Sequence, residues 1–558
     1  MQWLRNYTGS EAAADGLAAV IVTVMLIPQS LAYAMLAGLP AEFGLYASML
    51  PLVAYALLGS SSSLAVGPVA ITSLMTAAVV GEIAQSGSEQ YIEAAILLAA
   101  ICGLVLLLMG LLRLGWIANL LSHSVVSGFI TAAGILIAAS QMKHILGIPM
   151  NGGNLIELGV SAANNIQETN GYASSIGISS LLILVLVRSY LRPVLHHFRW
   201  SPMWIGMTTK MGPVITIVVS ALIVGHYNFD EKGLAVIGEI PAGLPPFSLP
   251  NISTDLFSQL LPAALLISLI GFVESVSVAQ TLAARRRQRI DPNRELLGLG
   301  FANIAASVSS SYPVMGGFAR SVVNFDAGAA TRMAGIITAG YIALIAVFFT
   351  HWLHYLPNST LAAAIIVSVS SLIDFKQVRK TWQYSYADFA AMFTTIVVVL
   401  MVGVAMGLLC GLITSLILHL WRTSRPNIAE VGLVEGTEQF RSVLRYEVLA
   451  QDTVFSVRVD ESLYFINMPY LEDYIYNSVI SGSKIKHVVL VCSAVNHIDY
   501  SAIECLISLN RRLDNAGVKF HLSEVKGPVF DRLNRSDFLS GVTGNIFDSQ
   551  YDAFCALR

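Results

Sequence analysis

Between Gly16 and Trp421 the chain is a succession of apolar runs. Many approach the ~20 residues that cross a bilayer as a helix. The clearest lie at 16–38, 43–59, 93–112, 116–140, 174–192, 212–227, 257–281, 333–353, 386–402 and 404–421. Shorter or more broken runs lie at 69–84, 295–309, 319–331 and 359–373. Together they make about fourteen candidate spans of a polytopic α-helical membrane body. The short runs cannot cross alone against lipid. They are tolerable only where protein or a watery cavity satisfies the freed backbone groups.

Charge follows the same division. Only 12% of the residues are charged, about half the ~25% usual in soluble proteins. Charges are thin before Trp421 and reach ordinary soluble density after it. Two domains are expected: a transmembrane part over 1–425 and a soluble part over 426–558, well defined over about 440–555. The net charge of −3 gives no basis for a nucleic-acid partner. Cys102, Cys410, Cys492, Cys505 and Cys555 are scattered without a CxxC pair. They read as structural thiols rather than disulfides or a metal site. The first run is long for a signal peptide, is preceded by Glu11 and Asp15, and is expected to stay as the first span.

Loop charge orients the spans. With the N-terminus inside, loops after even-numbered spans hold Arg113; Arg188, Arg192 and Arg199; Arg285, Arg286, Arg287 and Arg289; Lys376, Arg379 and Lys380; and Arg422 and Arg425. The opposite loops carry little beyond Lys143 and Lys232. The positive-inside rule then places both termini and the soluble part in the cytoplasm; a plasma or bacterial inner membrane is the expected location of the body. The last span has glycine at every fourth residue, Gly403, Gly407 and Gly411. Such a face suits close helix packing, either within one protomer or across a dimer.

Two segments far apart break apolar stretches with Gly and Pro and then open short helices. They are Val66-Gly67-Pro68-Val69-Ala70-Ile71-Thr72-Ser73 and Pro313-Val314-Met315-Gly316-Gly317-Phe318-Ala319-Arg320-Ser321. Helix N-termini expose unpaired N–H groups and partial positive charge. Interrupted spans at corresponding places in two halves point to the site of a secondary transporter. Arg320 adds a cation whose fork suits an oxyanion. The alternative is a structural ion pair with Glu274. That carboxylate lies deep in an apolar span, where such a group reads as functional. Proton carriage and structural pairing both remain open for it. Asn303, Asp326 and Arg332 read as structural or gating residues.

After Arg425 the pattern turns to alternation. Strands are expected over 454–459, 488–492 and 519–522, and helices over 469–481 and 501–516, giving a small α/β domain. No Walker or dinucleotide loop is present, so neither ATP drive nor a cofactor is expected.

Pro28-Gln29-Ser30-Leu31-Ala32-Tyr33-Ala34-Met35-Leu36-Ala37-Gly38-Leu39-Pro40, then Tyr46 and Gly67-Pro68, resemble the signature of the sulfate permease (SulP) family. The C-terminal part resembles a STAS domain. The resemblance implies spans arranged as two inverted seven-helix repeats, split into core and gate domains, in a homodimer working by an elevator-like motion. It implies an anion held between the third and tenth helices. Gln29 and Tyr33, on one face of the first span, match positions lining the anion pocket; polar packing is the alternative. Val69, Ala70 and Thr72 would supply N–H groups or small walls on one side. Phe318, Ala319, Arg320 and Ser321 would do so on the other. Relatives carry Ser-Arg-Ser or similar here, and Ala319 lacks the first hydroxyl. Ser501, in His497-Ile498-Asp499-Tyr500-Ser501, falls where related STAS domains carry a phosphorylatable serine; an N-cap hydroxyl is the alternative.

The expected function is secondary active transport of an inorganic oxyanion, sulfate first, coupled to H+. Sodium-coupled bicarbonate transport, C4-dicarboxylate transport and a passive anion channel are alternatives. No nucleophile–base arrangement suggests an enzyme.

Overall fold

The computed structural model describes residues 7–558 except 120–121, 151, 192, 194–211, 251–252 and 482–483. Arg192 and Arg199 therefore lie outside the described residues. The chain divides into two compact units, Met1–Ser415 and Leu416–Arg558.

The first unit is helical. Its principal elements are α1 (Gly9–Leu36), α2 (Glu42–Tyr46), α3 (Leu50–Leu58), β1 (Val66–Gly67), α4 (Ala70–Gly81), α5 (Glu89–Leu111), α6 (His123–Leu146), α7 (Gly171–Leu186), α8 (Gly212–Tyr227), α9 (Thr254–Arg285), α10 (Pro292–Val308), β2 (Met315–Gly316), α11 (Phe318–Asp326), α12 (Met333–Phe348), α13 (Asn358–Val369), α14 (Tyr386–Met401) and the part up to Ser415 of α15 (Val404–Ser424). Among the described residues, six helices are long and apolar enough to cross a membrane, and several shorter apolar helices accompany them. The order matches the expected spans, with two differences. The run at 43–59 is two helices, because Met49 leaves helical geometry (φ −104°, ψ −90°) just before Pro51. The run expected from 116 starts as a helix only at His123, where the Ser122 hydroxyl accepts from Val125 N.

These helices form two packing groups. In one, α10 packs on α5 and α3, α9 on α5, and α12 on α1. In the other, α6 packs on α14, α13 and α7, and α8 lies against α7. Gly407 backs onto Val399 and Gly411 onto Thr395, so the glycine face of α15 serves packing against α14 within the protomer.

Two buried carboxylates lock remote segments together. Asp15 accepts from Ala330 N at 2.7 Å and Thr331 N at 2.9 Å. Glu295, fully buried, accepts from Tyr55 OH at 2.7 Å, Ser60 N at 2.8 Å, Ser60 Oγ at 2.6 Å and Ser61 N at 2.9 Å. A carboxylate accepting this many bonds offsets much of its desolvation. Each therefore works as a staple.

The second unit contains β3 (Ile428–Leu433), β4 (Phe440–Ser442), β5 (Val454–Val459), α16 (Met468–Ser481), β6 (His487–Val491), α17 (Tyr500–Asn515), β7 (Lys519–Ser523), α18 (Gly527–Leu533), β8 (Ile546–Phe547) and α19 (Gln550–Ala556). The sheet order is β4-β3-β5-β6-β7-β8. Strands β5 to β8 run parallel, and β3 joins antiparallel. Of the central strands β6 reads as a nearly continuous apolar run, as a strand covered on both faces does, whereas β5 and β7 alternate. Leu471, Ile475, Leu506 and Leu509 fill the core from the helices. Alternation points to the central strands; β4 and β8 are short edge elements, and β3, between β4 and β5, is only half-buried over its first three residues.

His487 Nδ1 lies 3.1 Å from His521 Nε2, and His521 Nδ1 accepts from Asn545 N at 2.9 Å. Burial, then His487 and Lys519, pushes the His521 imidazolium down to about 4.

Two outcomes follow. Glu295→Ala leaves several buried donors without an acceptor, each costing ~1–3 kcal/mol. It should lower the thermal midpoint in detergent well below that of Glu295→Gln, which retains one acceptor; equal midpoints would contradict the staple. For His521 the folded value lies below the ordinary one of about 6.5. Its contribution is therefore full above that value and lost as pH falls toward about 4. Exchange protection of the Lys519–Ser523 amides in the intact chain should fall over that window. In His521→Phe the fall should be absent.

Candidate functional site

The two interrupted segments meet. β1 and β2 pair antiparallel, Val66 opposite Gly316 and Gly67 opposite Met315. Each strand leads within a few residues into a helix, α4 capped by Val69 and α11 capped by Gly317, and neither cap makes a side-chain hydrogen bond. Antiparallel pairing therefore brings two helix starts toward one another with first-turn N–H groups not claimed by their cap side chains.

Side chains hold this junction from several directions. Gly317 N donates to Ala65 O at 3.1 Å. Ser275 Oγ accepts from Gly316 N at 2.9 Å. Asn303 clamps Val314 through Nδ2 to its carbonyl at 2.8 Å and through Oδ1 from its N–H at 3.0 Å. That is the structural role read for Asn303. Arg332 Nη1 donates to Gly59 O, also a structural contact.

Arg320 lies inside the junction, 3% exposed. A Cβ on Gly67 would come within 2.6 Å of its Nη1, and one on Gly317 within 2.9 Å of Nε and Nη2. The guanidinium fits because both neighbours are glycine. Its Nη1 and Nη2 are buried without a hydrogen-bond partner, and so is Glu274 Oε2. Among the described residues no ion pair joins Arg320 to Glu274. The two ionisable groups face the same cavity without closing on each other. That pocket holds about 470 Å³ of empty space, part of it open to solvent. An isolated buried guanidinium is costly, and a bound anion is the partner that would offset the cost.

Gln29, Tyr33, Val69, Ala70, Glu274, Phe318 and Arg320 all line this cavity. Two expected contacts fall elsewhere. The Thr72 hydroxyl is fully buried and donates to Val69 O at 3.0 Å, continuing the helix rather than facing the cavity. Ser321 Oγ accepts from Ala65 N at 2.9 Å and donates to Gly317 O at 2.6 Å, tying the two segments. The Ala319 side chain lies outside the described residues. Ser368, Ser371 and Leu372, at the C-terminal end of α13, also line the cavity and were missed. Their signal was a serine cluster in a short apolar run. In the second unit Ser501 is exposed in the first turn of α17, whose cap is Asp499, accepting from Ala502 N at 2.7 Å. The N-cap reading of Ser501 is thus corrected.

The model of the sulfate permease family matches residues 13–395, and that of the STAS domain residues 445–553. The chain is 36% identical over 551 residues to sulfate transporter 4.1, chloroplastic, of Arabidopsis thaliana, covering 96% of this chain and 78% of that one. It is 30% identical over 547 residues to a probable sulfate transporter of Mycobacterium tuberculosis, covering 97% and 93%. Among solved structures it is similar to the murine Solute Carrier 26 family member A9 anion transporter in the inward-facing state, with TM-score 0.90, 23% identity, and 100% and 93% coverage. The transmembrane domain of a cyanobacterium bicarbonate transporter, BicA, gives TM-score 0.61 at 21% identity, covering 73% of this chain and 98% of that one. These likenesses to solved structures bear on fold.

The geometry makes Arg320 and its glycines testable together. A hydrogen bond to a charged group contributes ~1.5–3 kcal/mol, about one to two decades of affinity. Arg320→Ala should weaken sulfate binding by that amount, with Arg320→Lys between it and the native chain. Gly67→Ala should weaken binding with Arg320 intact, because its Cβ displaces the guanidinium. Titration of folded variants in detergent reads all three; native affinity in Gly67→Ala would contradict the cradle.

Proposed function

The chain belongs to the sulfate permease family of anion transporters and ends in a STAS domain, and on that footing we propose that it carries a small oxyanion, sulfate first, across a membrane by alternating access, coupled to H+. One observation carries the reading: a buried guanidinium with both terminal nitrogens unpartnered, set between two facing helix starts. The fork and the first-turn N–H groups near Val69, Ala70, Phe318 and Ala319 would hold the oxyanion. Gln29 and Tyr33 would wall the pocket from α1. Backbone N–H groups recognise any small anion, so the lining accommodates bicarbonate or a dicarboxylate as well.

Glu274 supplies the coupling in this reading. Ionised Glu274 and sulfate place negative charge on both sides of one guanidinium. Protonating Glu274 removes one of those charges, and carrying less net charge through a low-dielectric barrier costs less. Anion and proton would then move together. Sodium coordination is the rival role, with Glu274 the single carboxylate among the described residues lining the cavity and Gln29, Ser368 and Ser371 offering neutral oxygens.

The transmembrane domain is assigned to 1–425 and the STAS domain to 426–558. The Arg and Lys clusters support a cytoplasmic position for both termini, and a plasma or bacterial inner membrane is the location assigned in this reading. The exposed Ser501 at a helix start suits a regulatory phosphate, and the STAS domain then modulates rather than performs transport.

Uptake by purified protein in liposomes tests the reading. Labelled sulfate should accumulate under an inwardly directed proton gradient, saturably, and compete with related oxyanions. Glu274→Gln should stop concentrative uptake while sparing equilibrium binding. Accumulation driven by sodium alone, or undiminished in Glu274→Gln, would remove the proton mechanism. Continuous unsaturable conduction would favour a channel.

A further inference from the structure

A second cavity lies within the first unit, away from Arg320 and Glu274. It holds about 790 Å³ of empty space, part of it open to solvent. Lys143 and His144 enter it from the C-terminal end of α6, Asn170 and Gly233 border it, and Asn358 and Ser359 come from the start of α13. Among the described residues no Asp or Glu lines it; Asp230 and Glu231, just before Gly233, are not part of its wall.

The walls are tied in place. Asn170 caps α7, accepting from Tyr172 N at 2.9 Å and Ala173 N at 3.1 Å, and donates through Nδ2 to Gly233 O at 3.0 Å. Asn358 N donates to Ala235 O at 3.0 Å. Against this satisfied frame, two side-chain atoms stand out. Ser359 Oγ, on a residue 1% exposed, and Asn358 Oδ1 are buried without partners. The cap of α13 is Pro357, which makes no side-chain hydrogen bond to the helix start. A basic wall, a free hydroxyl donor and a helix N-terminus therefore converge on one space. A half-turn of the Asn358 amide would add its NH2 as a donor.

We propose that this cavity is a second anion site, separate from the one at Arg320, taking a small oxyanion between Lys143, Ser359 and the start of α13. The ammonium provides the charge, the Ser359 hydroxyl the directed hydrogen bond, and the helix start the partial positive field. Its position has a consequence. α13 has 12 residues, about 18 Å at the usual rise. Its N-terminal end lines this cavity and its C-terminal end, at Ser368 to Leu372, lines the one at Arg320. An anion held here grips the far end of a helix that walls the central pocket.

Protection from acylation tests the site in the intact chain in detergent. The probe is sulfate, the reagent an amine-acylating ester, and peptide mass spectrometry compares Lys143 with exposed Lys376. Sulfate should slow acylation of Lys143 saturably, beyond any effect at Lys376. Ser359→Ala should raise the half-protecting concentration on the order of tenfold. Arg320→Ala should leave the protection in place, which separates this site from the central one. A Lys143 that does not react, protection no greater than at Lys376, an unchanged half-protecting concentration in Ser359→Ala, or protection lost in Arg320→Ala would each overturn the proposal.

Discussion

The burial of Arg320 between two glycines is the constraint on which the membrane unit turns. A guanidinium with no protein acceptor is unfavourable in a dry interior. It can be kept there only if the surrounding backbone cannot relax around it. The β1–β2 pair, the Ser275 and Ser321 hydroxyls and the Asn303 clamp supply that rigidity. Each bonds backbone at the junction, and Arg320 Nη1 and Nη2 are left unbonded. Serine and asparagine in these spans thus hold the frame of the site rather than its contents.

The buried charges sort into two kinds by their hydrogen bonds. Asp15 and Glu295 are saturated by backbone and hydroxyl donors from segments hundreds of residues away. Arg320 and Glu274 retain orphaned atoms facing a common cavity. An intramembrane charge is expensive in either case. Saturation marks the first pair as structural, and the missing partners leave the second pair with donor and acceptor capacity that a ligand would use in the proposed function.

Much of this was legible in the sequence, for physical reasons that differ by element. Span positions follow from length and apolarity, which are local. The broken segments at Val66 and Pro313 follow from Gly and Pro, whose backbone effects are also local. The strands at Val454, His487 and Lys519 follow from the change to a strand-like pattern after Arg425, which is local as well. The contacts of the site are not local. Glu295 as an acceptor for Tyr55 joins residues 240 apart in sequence, and no window reveals it. Ser321 and Thr72 sit on the right segments, yet helix phase turns their hydroxyls to backbone. Ser368 and Ser371 reach the cavity only because α13 ends there. Gly67 could be read as a turn residue, while its stricter role is to make room for Arg320.

α13 borders both cavities. It belongs to the packing group of α6 and α7, through which its N-terminal end meets Lys143 and Asn170. Its C-terminal end faces the residues of α1, α4, α9 and α11 around Arg320. A short helix is stiff along its axis, so its ends move together. In the proposed alternating access, a motion of one packing group against the other would displace Ser368 and Ser371 relative to the residues around Arg320. It would also carry Ser359 with them. A ligand that binds one arrangement of α13 better than the other shifts the balance between them by that difference in affinity, and by no more. The two cavities are therefore linked through a single rigid element, and the sign of that link depends on which arrangement of α13 gives Ser359 and Lys143 the better grip.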